Sequence, residues 1–194
     1  SELMNIFQRV VKAAEGAAMG TGTEMEYEIM GGVHSVLPNV VLSKILDANL
    51  REVGGVIYNE KENEYAEKIR ASLLNPKTSM KAAETITPFV MINIPASSDV
   101  GDVSWNVPTA GLATAVWVPG TPAHSWQAVS CGGTSIAMKA MMNAAKAISY
   151  SAIDLYMNTD YIELAQKEFL ERRGTDYVYK PLLGDREPPL EYRK

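Results

Sequence analysis

The side chains able to do chemistry crowd into one stretch, residues 97–124, SSDVGDVSWNVPTAGLATAVWVPGTPAH. Ser97, Ser98, Asp99, Gly101 and Asp102 are turn-forming types, whose hydroxyls and carboxylates bond nearby backbone and whose glycine accepts unusual dihedrals. His124 closes the stretch inside TPAHSW. Imidazole and carboxylate are the groups suited to proton transfer near neutral pH and to metal ligation. From the residues alone, His124 reads equally as such a group or as a polar loop histidine.

Other candidates are weaker. Cys131 precedes Gly132-Gly133 at an expected helix start, where a thiol pKa falls. No histidine adjoins it, so it reads as a plain buried cysteine. Glu24, Glu26 and Glu28 alternate with apolar residues and read as a solvated strand face rather than a row of ligands. The chain has two histidines and one cysteine. A catalytic zinc takes about three protein ligands, and a two-metal centre takes more. His124, His34, Asp99 and Asp102 would have to supply them all, and His34 lies across an expected domain boundary. The sequence therefore reads as part of a site. It carries no G-x-S-x-G elbow, Walker loop, G-x-G-x-x-G or H-E-x-x-H.

The positioning elements follow from periodicity. Ile6, Phe7, Val10, Val11, Ala14 and Ala17 predict a helix over 3–19. Strict alternation over 24–29, with Met25, Tyr27 and Ile29 on one face, predicts a strand with one wet side. Asn39 is a natural N-cap for a helix carrying Leu42, Ile45, Leu46 and Leu50, closed by Gly54-Gly55. Residues 60–74 predict a charged helix with an inner stripe of Tyr65, Ala66, Ile69 and Leu73. Residues 89–94 and 112–118 are uncharged apolar runs expected to be strands, the second buried on both faces as in a parallel sheet. Residues 134–157 predict a long helix, apolar nearly all round and so expected to be largely buried. A last helix is expected over 159–173, before a proline-rich tail expected to be extended. The expected domains are 1–38, a helix and a one-sided strand, and 39–194. The fold class expected is α/β, with helices on a mainly parallel sheet.

Composition narrows the function. The chain has 194 residues, is 46% hydrophobic and carries a net charge of −5. No basic stripe forms, so nucleic acid is not an expected partner. One cysteine excludes an internal disulfide and fits a reducing, cytoplasmic setting. No apolar run reaches the roughly 18 residues of a membrane span, and the first residues lack the basic and apolar regions of a signal peptide.

The run SSDVGDVSW, then PGTPAHSW, the long Ala/Met helix and the ending GTDYVYKPLLGDREPPLEYRK resemble the carboxy-terminal portion of the metal-dependent amidohydrolases. That family includes aminoacylases, carboxypeptidase-type enzymes and indoleacetyl-amino-acid hydrolases. The resemblance runs along essentially the whole chain. It implies hydrolysis of an N-acyl amide bond to an amino acid such as glutamate, at a two-metal centre of zinc or manganese. It implies that His124 is a metal ligand. Ser97, Ser98, Asp99, Gly101, Asp102 and the lid-exit Asn39 would line or orient the substrate. It implies a catalytic domain interrupted by an α+β lid that carries the homodimer contact, with residues 1–38 as the end of that lid. The remaining ligands and the general base would lie in an amino-terminal half outside this chain, so no catalytic residue is expected here. The chain alone is then expected to be inactive. The competing reading is a stand-alone, non-catalytic binding or assembly module.

Overall fold

The computed structural model describes residues 2–92, 96 and 98–187. Among the described residues seven α-helices follow one another: α1 (Glu2–Thr21), α2 (Val40–Val53), α3 (Glu60–Ala71), α4 (Val100–Ser104), α5 (Trp126–Gly132), α6 (Ser135–Met157) and α7 (Thr159–Arg173), with a 3-10 turn at Met80–Ala83. No strand occurs among the described residues. The expected α/β class, with helices on a parallel sheet and an α+β lid remnant, is thereby overturned in favour of an all-helical fold.

The three stretches expected to be strands show the physical reason. Alternation and apolar runs mark stretches suited to a strand, but a strand exists only where a second backbone supplies the ladder. Residues 24–29 carry no ladder, and Tyr27 packs edge-on to Phe7 of α1 at 5.9 Å between ring centroids. Of the run 89–94, residues 89–92 are described and are irregular, with Val90, Met91 and Ile92 exposed. Within 112–118 the backbone bond is a local turn, Val116 N–H to the Thr114 carbonyl. The run nonetheless enters the core, because Val118 is buried against Val56, Ala66, Ile69, Cys131, Ile136 and Ala140.

The chain divides into two units. The described residues of the smaller are 2–32 and 180–187, and those of the larger lie within 33–179. In the smaller, Arg186 forms an ion pair with Glu28 at 2.8 Å and donates to the Ile29 carbonyl. In the larger, α2 packs on α6 and α7, and α5 on α6.

Helix ends in the larger unit are tied down by specific side chains. Asn39 caps α2: its Oδ1 accepts from Leu42 N–H at 3.0 Å and its Nδ2 donates to the Ala165 carbonyl of α7 at 2.8 Å. Glu168 of α7 accepts from Val40 and Val41 N–H, each at 2.9 Å, so three of the donors orphaned at the start of α2 are satisfied. Asn59 and Glu62 form a capping box at α3. Glu62 is nearly inaccessible, yet it accepts from Lys139 at 2.5 Å, Ser135 at 2.6 Å and Asn59 N–H at 2.7 Å. Burial would raise its carboxyl, but these bonds and the Lys139 charge outweigh that and hold it at about 2.

α6 corrects a second expectation. It buries Ile136, Ala137, Ala140, Ala147 and Ser151 on one face. Met138, Met141, Met142, Ile148, Ile153 and Tyr156 are exposed. The helix is apolar all round because both faces are apolar, and only one of them is covered by the described residues.

Candidate functional site

Asp99 stands at the N-cap position of α4, with Val100, Gly101 and Asp102 in its first turn. Ser98 Oγ accepts from Val100 N–H at 3.2 Å and donates to Asp99 Oδ1 at 3.3 Å. Ser97 lies outside the described residues. The expected polar loop is thus in part a one-turn helix, and the side chains along it share a task.

That task is to hold a passing backbone. Asp102 Oδ1 accepts from the Tyr179 hydroxyl at 2.9 Å and from His34 N–H at 3.4 Å. Ser104 Oγ accepts from Leu37 N–H at 2.8 Å and donates to the Gly101 carbonyl. Trp105 Nε1 donates to the Ser35 carbonyl at 2.8 Å. Gly101 is required by this fit, because a Cβ there would collide with the His34 carbonyl. Trp105 stacks obliquely on Tyr177 at 4.7 Å, and the His34 ring sits 6.0 Å from Trp105 and 5.6 Å from Tyr179. Burial, then the bond to Asp102, raises the Tyr179 hydroxyl above its ordinary value.

His34 therefore adjoins Asp102, although the expected domain boundary falls between them. Ser104, Trp105, Tyr177 and Tyr179 join the cluster without being expected there. The usable signal is the spacing of polar types along GDVSW, but what they bind is backbone, which carries no mark in the sequence.

His124 lies elsewhere in the chain's architecture. It is exposed, adopts a left-handed φ of 57° and precedes Ser125, the N-cap of α5. Ser125 Oγ accepts from Ala128 N–H at 3.2 Å and donates to the Pro122 carbonyl at 2.7 Å. These bonds fix both sides of His124 and leave its ring out in solvent. A left-handed non-glycine residue stores about 1 kcal/mol or more of strain. Among the described residues no three His, Cys, Asp or Glu side chains converge as a metal site. The donor set among the described residues thus does not make up a complete metal centre.

Asn39, expected to face substrate, spends both its amide groups on α2 and α7. A separate cavity of about 290 Å³ lies between the end of α2, residues 82–87 and 113–115, and Asn143 of α6. Asn143 Nδ2 donates to the Gly54 and Gly55 carbonyls at 3.1 and 2.9 Å. Gly55 must be glycine, since a Cβ would collide with the Glu84 backbone.

No family model matches the chain, and no solved structure matches it. It is similar to one of the subunits of p-aminobenzoyl-glutamate hydrolase from Escherichia coli K12, with 30% identity over 207 aligned positions. The alignment covers 94% of this chain and 43% of that protein, in agreement with the amidohydrolase resemblance read from residues 97–124 and the tail. The chain is therefore a relative of a hydrolase component, and it spans less than half of that relative's length.

Proposed function

We propose that this chain is the carboxy-terminal part of a metal-dependent amidohydrolase that cleaves an N-acyl amide bond to an amino acid, of the p-aminobenzoyl-glutamate kind. The observation that carries this reading is the similarity along nearly the whole chain to a hydrolase component more than twice as long. Two structural features support it. His124 is exposed on a left-handed turn between Pro122 and the N-cap Ser125, open to a group from outside the chain. The outer face of α6 is apolar and exposed, as a surface covered in a larger body would be.

In this reading zinc or manganese supplies the Lewis acidity, and His124 gives one ligand. The general base and the other ligands come from outside the chain. Ser98, Asp99, Gly101 and Asp102, at the start of α4, line or orient the substrate in the whole enzyme rather than reacting. The homodimer and the cytoplasmic setting belong to the same proposal. So do the domain limits 1–38 and 39–194.

Release of p-aminobenzoate from p-aminobenzoyl-glutamate tests it. The chain alone should show no turnover and should hold no pair of zinc or manganese ions after dialysis. A longer protein carrying it should show both. Turnover and two tightly held metals in the chain alone would overturn the fragment reading. Absence of turnover in the longer protein would leave the binding-module reading.

A further inference from the structure

The chain passes between its two units at two places, Gly32–Val33 and Tyr179–Lys180. Both lie at residues that α4 grips. His34 and Tyr179, one beside each crossing, bond the same oxygen, Asp102 Oδ1. The first crossing is held further by Ser104 on Leu37 N–H and by Trp105 on the Ser35 carbonyl. The second is held by the stacking of Tyr177 on Trp105. Gly101 lets the His34 carbonyl lie directly on the helix. All these groups belong to the larger unit, and the hydrogen bonds to residues 33–37 are to backbone atoms, beside the ring contacts of His34 with Trp105 and Tyr179.

We propose that α4 is a clamp on the paired connectors and that Asp102 is its post, so that the two crossings loosen together when the post is lost. This does not rest on the hydrolase reading. Its physical basis is that one acceptor oxygen serves two donors far apart in sequence, so removing it frees both at once. Segments that share such a bond open as one cooperative unit.

Amide hydrogen exchange on the full chain tests the clamp, comparing Asp102→Ala and Tyr179→Phe with the parent. Asp102→Ala should speed exchange about tenfold or more in both 33–37 and 175–179, with α6 unchanged. Tyr179→Phe keeps the ring and removes only the hydroxyl. It should speed exchange in 33–37 as well as in its own segment, although it removes no bond from 33–37. A change confined to 175–179, or no change in either, would overturn the proposal. Should Asp102→Ala fail to fold, the Tyr179→Phe result decides alone.

Discussion

Asn39 and His124 both stand out by residue type, and the structure treats them in opposite ways. Asn39 is buried, its carbonyl oxygen caps α2 and its amide reaches α7. His124 is exposed, its backbone is left-handed, and the hydrogen bonds around it belong to its neighbour Ser125. One residue has its polar atoms committed to packing. The other holds an unfavourable conformation that brings no bond to its own ring. Left-handed non-glycine residues cluster at ligand sites, and Asn75 is the other such residue among the described ones. The contrast is between a polar side chain spent on two helices and an exposed imidazole beside a helix cap.

The largest effect that would break this contrast is on activity. In a longer hydrolase carrying this chain, His124→Ala should lower amide hydrolysis about a hundredfold or more, with the thermal midpoint nearly unchanged. Asn39→Ala should leave turnover per folded molecule near normal. A reversal of these two outcomes would exchange their roles.

Stability should show the mirror image. Asn39→Ala removes a helix cap and leaves the Ala165 carbonyl without its donor, a loss of about 2 kcal/mol in denaturant unfolding. A loss within experimental error would show that Asn39 is not the scaffold residue its bonds indicate.

The same reasoning extends to Glu62, the other buried cap. Its carboxyl is held at about 2 against an ordinary value of 4.5. A depressed folded-state pKa contributes stability that is complete above the unfolded value and lost as pH falls through the folded one. Stability should therefore decline as pH drops from 4.5 toward about 2. Glu62→Gln should flatten that decline at the cost of lower stability at neutral pH. An acid limb identical in parent and variant would contradict the network.

The smallest effect concerns the strain itself. His124→Gly relieves the left-handed penalty while loosening the unfolded chain, so the net change should stay below about 1 kcal/mol in either direction. A destabilisation well beyond that would mean that the imidazole has a packing role.

What is legible in the sequence follows the range of the interactions. Helices α2, α6 and α7 are written locally, through apolar periodicity and through stops at Gly54 and Gly174, and they stand almost as expected. The strands expected at 24–29, at 112–118 and in the described part of 89–94 do not form, because a ladder depends on a neighbouring backbone that apolar pattern does not identify. Val118 is in the core without being in a sheet. The short α5 escapes notice because its seven residues carry too few turns to show a period. The α4 cluster is legible as a concentration of polar residues. Its role is not, since Asp102, Ser104 and Trp105 bind backbone groups about 70 residues away in sequence.

The most direct test of the contrast is the metal bound per folded molecule, measured side by side for the His124→Ala and Asn39→Ala forms of the longer hydrolase after dialysis. The account predicts that the His124 variant loses zinc or manganese while the Asn39 variant retains it. Full metal occupancy in the His124 variant would contradict the account and return that residue to the status of an exposed loop histidine.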